Sequence, residues 1–409
     1  MEFPNLRHLR AFMEVAEAKG ISAAAHRIHL SQPAVTQAIS GLEKRIGVML
    51  LDRRAEGMFP TTEGEVLLLR VRRMFVHLAE GAARAVRLAA RRDGKPVADF
   101  HQRVTAAQLR ALIAIREAGN FSLAARSLGI AQPSVHRAGR DLEKLSGLKL
   151  FTPSRKGIEL TPAAEAFARA VMLAGAELDQ GLDELTRLSG ADTTRIAVGS
   201  MPLSRTEILP AACDALLKEA AGVQLRFVDA PYGELLRALR YGELDVLIGA
   251  LRDPLPAEDV VQEALIDDRL AVMARPDHPL AGRPNLTLDD TLDYPWIAGP
   301  KDTPAGAYLF RALGIGGMER TPVSVVTSSM MLVRGLLTRG DYLTLLSPRQ
   351  AAVEIAQGLM VPLDLPLGDS ARQIGLTTRA DWMPTPTQAR FLDLVRVAAT
   401  GGEKPFERP

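Results

Sequence analysis

Apolar residues recur every three or four positions between Ser31 and Glu43, which is the spacing of one buried helix face. That face is formed by Val35, Ala38, Ile39 and Leu42. The opposite face carries amide, hydroxyl and ammonium groups, on Gln32, Thr36, Gln37, Ser40 and Lys44. Ser31 is expected to cap this helix, and Pro33 lies in its first turn. The pattern suits a helix in a DNA major groove, although an amphipathic helix with polar outer residues is usually an ordinary solvated surface helix.

The chain repeats itself at an offset of 100 residues. Residues 6–65 align with 106–165 without a gap, and about 20 of the 60 positions are identical. The identical stretches include Leu9-Arg10-Ala11, Ala24-Ala25, Gln32-Pro33 and Leu42-Glu43-Lys44. Because capping, small-residue and turn positions recur together, the sequence predicts one structural unit used twice.

Each copy predicts three helices and two short strands. In the first copy, a helix covers about 6–18 and ends at Lys19-Gly20, and Ser22 is expected to cap the next helix. The helix that begins at Ser31 ends at Gly47, and two extended runs flank a charged tip at 52–57. The second copy has the same predicted elements at positions 100 residues later, and Ser122 is expected to cap its second helix. Helices and strands in this order predict a winged helix-turn-helix.

A long helix is predicted after each copy, over 62–92 and 162–189. One side of the first is apolar, and its arginines are expected on solvated sides: Arg70, Arg72, Arg73, Arg84, Arg87, Arg91 and Arg92. Asp93-Gly94-Lys95-Pro96 is a linker by composition. The two long helices could pair within one chain or between chains, and the sequence leaves both alternatives open.

Strands and helices alternate from about residue 194, which predicts an α/β domain with a parallel sheet. The predicted strands are 195–200, 223–228, 244–249, 269–274, 323–326, 342–346 and 373–378. The predicted helices are 208–217, 235–240 and about 386–399. Ligands of such sheets bind where the carboxyl ends of the strands meet.

Both copies resemble the DNA-binding domain of the LysR-type transcriptional regulators, through Ser-x-Ala-Ala, Gln-Pro-x-Val and Leu-Glu-x-x-x-Gly. The later half resembles the effector domain of that family, through Gly242-Glu-Leu-Asp245, His278-Pro279-Leu280 and Pro295-Trp296-Ile297. Gly249-Ala-Leu-Arg252 is most similar to the subgroup typified by a regulator of galactose-binding-protein genes. The resemblance implies a multi-domain chain in which two α-rich winged helix-turn-helix domains precede a two-lobed, periplasmic-binding-protein-like α/β domain.

The resemblance also implies which residues contact DNA. In the first copy they are Ser31, Gln32, Pro33, Thr36, Gln37, Arg53 and Arg54, and in the second Gln132, Pro133, Ser134, His136, Arg137 and Arg155. The second copy departs from the family pattern, with Ala131 at the cap, Gly139 inside the helix and Pro153 at the wing arginine. It is therefore either a weaker DNA-contacting module or a module that only dimerises.

Hydroxyl-bearing segments after the strands are expected to hold a small-molecule effector, a sugar or an organic acid. The candidate residues are Ser200, Met201, Arg252, Thr303, Thr327 and Ser328. Histidines and the single cysteine, Cys213, show no metal-ligand spacing, so neither a metal, a cofactor nor catalysis is expected. Cys213 is interpreted as a small core residue rather than a redox sensor.

Charge is distributed unevenly, with about +7 over residues 1–192 (28 basic minus 21 acidic) and about −5 over the remainder (22 minus 27). One cysteine, no signal-peptide pattern and no apolar run of about 18 residues predict a cytoplasmic protein without a membrane span. A basic first half and an acidic second half fit a DNA-binding region followed by a solute-binding region.

The sequence thus predicts a transcriptional regulator that binds double-stranded DNA under the control of a small effector. A homodimer or homotetramer is expected, with RNA polymerase as a further candidate partner. The predicted boundaries are 1–92, a linker at 93–104, 105–192, the effector domain at 193–400 and a tail at 401–409. The alternatives are a solute-binding or enzymatic α/β protein whose repeats only dimerise, and a second copy that binds protein instead of DNA.

Overall fold

The computed structural model describes residues 3–89, 96–155, 157–315, 318 and 321–401. These residues form two compact units. The N-terminal unit extends to Arg195 and includes 222–224 and 240–243, and the C-terminal unit contains the remainder. None of the helices in the described residues is both long and apolar enough to cross a membrane.

The N-terminal unit contains the same series of elements twice. The first series is α1 (Leu6–Ala18), α2 (Ile21–Arg27), α3 (Gln32–Ile46), β1 (Leu51–Arg54), β2 (Gly57–Pro60) and α4 (Thr62–Leu88). The second is α5 (Ala106–Ala118), α6 (Phe121–Leu128), α7 (Gln132–Ser146), β3 (Phe151–Ser154), β4 (Gly157–Leu160) and α8 (Pro162–Leu188). Each strand pair is an antiparallel hairpin, so the outer residues of the predicted charged tip belong to strands.

Helix caps follow the sequence at most positions. The Ser31 hydroxyl accepts a hydrogen bond from the Ala34 amide at the start of α3, and Ala131 provides no side-chain cap to α7. The predicted caps of the second helices are wrong, because Ser22 and Ser122 lie inside α2 and α6. Gly20 occupies the N-cap of α2, and the Asn120 side chain caps α6.

One repeated glutamate joins the helix α3 or α7 to the hairpin that follows it. The Glu43 carboxylate accepts hydrogen bonds from the amides of Leu50 and Leu51, at 2.8 and 3.3 Å. Glu143 does the same with Leu150 and Phe151, at 2.9 and 3.2 Å. Each carboxylate therefore satisfies two backbone donors at the start of a hairpin and fixes it relative to the helix.

A repeated glycine fixes the hairpin against the first helix of each copy. Gly57 and Gly157 have φ values of +134° and +131°, and a Cβ there would lie 2.2 or 2.4 Å from the carbonyl oxygen of Lys19 or Gly119. The next residue in each hairpin donates its amide hydrogen to that same carbonyl. A side chain at either position would separate the wing from the helix.

The two copies fill one core position in different ways. Ile39 in α3 is buried, and its counterpart in α7 is Gly139. A Cβ on Gly139 would lie 3.2 Å from the ring of Phe151, whereas the counterpart of Phe151 is Leu51. The larger ring thus occupies the space of the missing isoleucine side chain, so Gly139 is a packing requirement as well as a weak helix former.

Helices α4 and α8 pack against each other in the N-terminal unit, and most of the buried hydrophobic residues of the two copies belong to one continuous core. Phe100, in the predicted linker, is fully buried with its ring edge against Phe167. The prediction that Arg70 is solvated is wrong: it is 1% exposed and lies between the two helices. Arg91, Arg92 and residues 93–95 lie outside the described residues.

The C-terminal unit contains two five-stranded sheets, with strand orders β6-β5-β7-β14-β8 and β11-β10-β12-β9-β13. Its strands are β5 (Arg195–Ser200), β6 (Gln224–Val228), β7 (Val246–Ala250), β8 (Val260–Asp268), β9 (Ala271–Ala274), β10 (Trp296–Ala298), β11 (Val323–Val326), β12 (Leu343–Leu346), β13 (Val361–Pro362) and β14 (Arg372–Arg379). Its helices are α9 (Ile208–Glu219), α10 (Tyr232–Arg240), α11 (Pro304–Ala307), α12 (Met330–Leu337), α13 (Ala352–Ala356) and α14 (Pro386–Ala399). A few residues at the ends of these elements belong to the other unit.

The predicted parallel sheet is wrong in detail, because both sheets are mixed. β14 runs antiparallel to β7 and β8, and β9 runs antiparallel to β12 and β13. Every predicted strand and helix of this half is present, but six further strands and α-helices of the described residues were not predicted: β8, β10, β13, α11, α12 and α13. The antiparallel strand β14 joins the first sheet after the chain has built the second, which sequence alternation alone does not reveal.

We predict that Gly139→Ile destabilises the N-terminal unit by about 1–3 kcal/mol, because the added side chain overlaps Phe151. Adding Phe151→Leu should restore most of that loss, since the pair then matches Ile39 and Leu51. The shift in urea midpoint, followed by circular dichroism, measures both effects. The reciprocal pair Ile39→Gly with Leu51→Phe is the matched control, and equal destabilisation by the single and double variants of α7 would contradict this account.

Candidate functional site

The start of α3 and its wing form one open groove. It is lined by six residues predicted from the sequence, Gln32, Pro33, Thr36, Gln37, Arg53 and Arg54. Ser31, the seventh predicted residue, is exposed at the cap of the same helix. The apolar face of α3, from Val35 to Leu42, is buried in the core. The helix therefore presents its amides and hydroxyls outward beside two exposed guanidinium groups.

Local contacts orient several of these side chains. The Gln32 amide nitrogen donates to the Ser22 hydroxyl at 3.1 Å, and the Thr36 hydroxyl donates to the Gln32 carbonyl at 3.1 Å. The guanidinium of Arg54 lies over the Phe59 ring, 5.2 Å from its centroid. Ser22, which sequence analysis treated as a cap, thus positions a residue of the outward face.

The second copy presents the same surface with different chemistry. Gln132, Pro133, Ser134, His136 and Arg137 are all exposed on α7, and Arg155 is exposed at the turn between β3 and β4. The His136 ring packs edge-on against Phe121, 5.0 Å between centroids. Neutral Thr36, Gln37 and Ser40 of the first copy become His136, Arg137 and Arg140 in the second.

Both wings carry an exposed arginine, but the second copy also carries arginines on the outward face of its helix. In the first copy, Arg53 and Arg54 lie on the wing, and the corresponding wing positions in the second hold Pro153 and Ser154. In the second copy, Arg137 and Arg140 lie on the helix itself. The first surface carries amides on its helix and guanidinium groups on its wing, whereas the second also carries guanidinium groups on its helix.

A separate cleft lies within the C-terminal unit, with about 750 Å³ of empty space, part of it open to solvent. One side of the cleft is formed by residues in or next to the first sheet, namely Met201, Gly249, Ala250, Arg372 and Ile374. The other side is formed by residues in or next to the second sheet, which include Thr303, Thr327, Ser328, Thr344 and Gln350. A mostly apolar cleft of this size with a few polar groups suits a small metabolite.

Backbone turns hold the cleft hydroxyls in place. Thr303 caps α11: its hydroxyl accepts from the Gly306 amide at 3.1 Å and donates to the Pro300 carbonyl. The Thr327 hydroxyl accepts from the Ser329 amide at 3.1 Å, just before α12 begins. Of the predicted effector residues, Met201, Thr303, Thr327 and Ser328 are brought together here.

Ser200 and Arg252 are placed elsewhere. Ser200 is 2% exposed, and its hydroxyl accepts from Arg205 Nε at 3.1 Å. Arg205 in turn forms a bidentate pair with Asp229, so Ser200 helps to hold that arginine. Arg252 lies over the Tyr232 ring at 4.3 Å. Neither residue lines the cleft.

Sequence reasoning missed the one arginine that does line the cleft. Arg372 begins β14, and its Nε donates to the buried Asp268 carboxylate at 2.9 Å. Ser347 is fully buried and donates its hydroxyl to that same carboxylate. Arg372 follows Ser370 and Ala371 in a loop-to-strand transition, and no motif in the sequence marks it.

Among the residues that the structure describes, no group of three or more His, Cys, Asp or Glu side chains is placed to hold a metal ion. Burial raises the pKa of the Cys213 thiol to about 11, which keeps it protonated at neutral pH.

Two family profiles match the chain. One described as "Bacterial regulatory helix-turn-helix protein, lysR family" matches residues 6–65 and again 106–165, and "LysR substrate binding domain" matches 189–399. The chain belongs to the LysR family. It is a transcriptional regulator with an effector-binding domain, and the relatives described below are regulators rather than enzymes.

The similar regulators differ in length. "HTH-type transcriptional regulator GalR" of Pseudomonas putida is 33% identical over 403 residues, which cover 98% of each chain. "HTH-type transcriptional regulator PcaQ" of Agrobacterium fabrum is 27% identical over 299 residues, covering 96% of that protein and 73% of this chain. A full-length OxyR variant of Pseudomonas aeruginosa has a TM-score of 0.50 at 20% identity, covers 71% of this chain and 97% of its own, and supports the fold alone.

We predict that Cys213 of the folded regulator reacts about 100-fold more slowly than an exposed thiol with Ellman's reagent at pH 8. The reason is that a pKa near 11 instead of 9 lowers the thiolate fraction by that factor. Absorbance at 412 nm gives the rate, and the urea-unfolded chain is the control. Cys213 is half-buried and so not the core residue that the sequence suggested. Rapid reaction of the folded chain would contradict a thiol pKa raised by that partial burial.

Proposed function

We propose that both copies of the repeat are winged helix-turn-helix domains that contact double-stranded DNA, with α3 and α7 in successive major grooves. The observation that carries this proposal is that both helices bury their apolar face and expose their polar face beside a hairpin wing. The proposed contacts are Ser31, Gln32, Pro33, Thr36, Gln37, Arg53 and Arg54, and Gln132, Pro133, Ser134, His136, Arg137 and Arg155.

The groups have distinct roles in this proposal. The amide side chains of Gln32 and Gln37 hydrogen-bond to adenine edges, and the guanidinium of Arg137 pairs with guanine. The wing residues Arg53 and Arg155 contact backbone phosphates, which positions each helix without carrying sequence information. A basic N-terminal half favours such binding to a polyanion.

We further propose that a small organic acid or sugar binds in the C-terminal cleft and shifts the population of conformations that activate or repress transcription. Thr327 and Ser328 supply hydroxyls, and Arg372 supplies a cation at the opposite side of the same cleft. The proposed domains are 1–92, 105–192 and 193–400. The regulator is proposed to act in the cytoplasm as a homo-oligomer, with RNA polymerase as a further partner.

The proposed DNA contacts predict that one substitution lowers base discrimination and another lowers affinity for every duplex. Gln32→Ala should lower discrimination between the operator and a version with changed bases, by about 1–3 kcal/mol. Arg53→Ala should weaken binding to every duplex and reduce the slope of log K against log salt by about 1. Fluorescence anisotropy across a salt series measures both.

Lys218→Ala is the matched control, because it removes an exposed cation from α9 instead of from the DNA-contacting surface. The operator sequence comes from selection with the full chain out of random duplexes. If both variants lowered affinity equally for all duplexes, or neither changed it, the assigned roles would be wrong.

If a small molecule binds in the cleft, the thermal stability of the full chain should depend on its concentration. Small organic acids and sugars that bind should raise the melting temperature of the full chain, since a ligand of the folded state stabilises it by mass action. Thr327→Val should weaken binding of the best such compound by about 1 kcal/mol through loss of one hydrogen bond. Thr338→Val, at the far end of α12, is the control. A compound whose affinity is unchanged by Thr327→Val binds elsewhere.

A further inference from the structure

Helices α4 and α8 form an antiparallel pair with a local two-fold relation. A Cβ on Gly181 would lie 3.1 Å from Cβ of Arg70, and a Cβ on Gly81 would lie 2.1 Å from Cβ of Ala170. Positions 170 and 181 are the counterparts of 70 and 81 in the 100-residue repeat. Exchanging the two copies therefore exchanges these two contacts. Two identical helices could form the same pair between two chains.

The chemistry of the pair is not symmetric. Arg70 is fully buried, and Nη1 donates to Glu177 at 3.0 Å and to Gln180 at 2.8 Å. Its Nε and Nη2 both donate to Glu184, at 2.8 and 2.6 Å. Arg73 donates to Glu177 at 2.8 Å. All the cations of this network lie on α4, and all its carboxylates lie on α8.

A pair of two α4 helices lacks these carboxylates. Subtracting 100 from the positions that surround Arg70 gives His77, Glu80 and Arg84 in place of Glu177, Gln180 and Glu184. Each buried arginine would then face one carboxylate and one further arginine. A buried guanidinium without adequate charge compensation is strongly destabilising.

A pair of two α8 helices lacks the cations. The positions that face Glu177 would change from Arg70, Arg73 and His77 to Ala170, Leu173 and Glu177. Two buried carboxylates would then lie near each other with no cation at these positions. In the observed pair, burial raises the pKa of Glu177, but hydrogen bonds from His77 and Arg70 and the charge of Arg73 lower it below the ordinary value.

The connection between the helices favours closure within the chain. Only 17 residues separate the end of α4 at Leu88 from the start of α5 at Ala106, and Phe100 within them packs against Phe167 of α8. A linker of this length, held at Phe100, gives the second copy and its helix α8 a high effective concentration at α4. Pairing with α8 of another chain would have to compete against that concentration.

We propose that α4 and α8 of one chain pair with each other, so that a single chain holds both DNA-contacting helices and recognises two unlike half-sites. The half-site beneath α3 meets the amides of Gln32 and Gln37, and the half-site beneath α7 meets Arg137 and His136. The operator is therefore asymmetric rather than palindromic. The DNA part of this proposal rests on the proposed function, whereas the helix pairing stands independently of it.

The pairing is tested by disulfide trapping in the full chain. Arg70→Cys and Gly181→Cys are introduced together with Cys213→Ser, and the chain is oxidised with diamide. The two Cβ atoms need to move apart by only a few tenths of an ångström for a disulfide. A reducible bond that leaves the chain at monomer mass on a non-reducing gel is expected. A covalent dimer, or no bond in a chain that circular dichroism shows to be folded, overturns the proposal.

A mixing control distinguishes a disulfide within one chain from a disulfide between two chains. Chains that carry only Arg70→Cys are mixed, unfolded, refolded and oxidised with chains that carry only Gly181→Cys. Less than about one-tenth of the material is expected to become cross-linked. Efficient cross-linking of the mixture would place α8 of one chain on α4 of another and overturn closure within the chain.

Charge reversal tests the reason for the pairing without cysteines. Glu177→Arg with Glu184→Arg should increase the hydrogen-exchange rates of α4 and α8 amides at least tenfold. Adding Arg70→Glu and Arg73→Glu to those changes should recover most of the protection, because two cations on α8 then face two carboxylates on α4. Exchange rates that are unaffected by the double change, or that are not recovered by the quadruple change, overturn the charge argument.

The asymmetric operator is tested with duplexes selected from a random pool by the full chain. Gln37→Ala should change base preference in one half-site only, and Arg137→Ala should do so in the other, each by about tenfold. A palindromic motif, or both variants affecting both halves, overturns recognition of unlike half-sites. Loss of preference with Gln37→Ala but not with Arg137→Ala, in a chain that forms the internal disulfide, would refute DNA contact by the second copy and leave the helix pairing intact.

Discussion

A buried guanidinium group determines how the N-terminal half of this regulator is built. Arg70 lies between α4 and α8, where water does not solvate it, and its charge is compensated by two carboxylates of the opposite helix. Such a network contributes little net stability compared with an apolar interface, but losing one side of it is costly. Its main effect is therefore to decide which helix pairs with which. The placement of both winged units follows from that choice.

Within each copy, short polar contacts fix the surface that faces outward. Glu43 and Glu143 connect the central helix to the wing, and Gly57 and Gly157 allow the wing to touch the first helix. These contacts involve backbone groups, so they hold the same geometry while the exposed side chains differ. The two copies can therefore share a framework and still present amides in one case and guanidinium groups in the other.

Much of this architecture is predictable from the sequence, because local patterns determine it. Helical periodicity and the 100-residue repeat gave the element order, and the Ser31 cap and the exposed face of α3 are where they were expected. The mixed sheets were not predictable, since the position of β14 depends on long-range pairing. Arg70 was misplaced because helical periodicity assigns arginine to solvent and carries no information about a partner helix. Arg372 was missed because its position in the cleft depends on Asp268, 104 residues earlier.

One pair of core positions is filled by Ile39 and Leu51 in the first copy and by Gly139 and Phe151 in the second, and this difference has an evolutionary consequence. In a dimer of identical chains, each mutation alters both DNA-binding domains at once, so a useful change in one is accompanied by the same change in the other. Two copies encoded in tandem can diverge separately. A loss of side-chain volume in the core of one copy can be compensated within that copy, without any change in the other. Each of two copies within one chain can therefore change by single substitutions that leave the other copy unaltered.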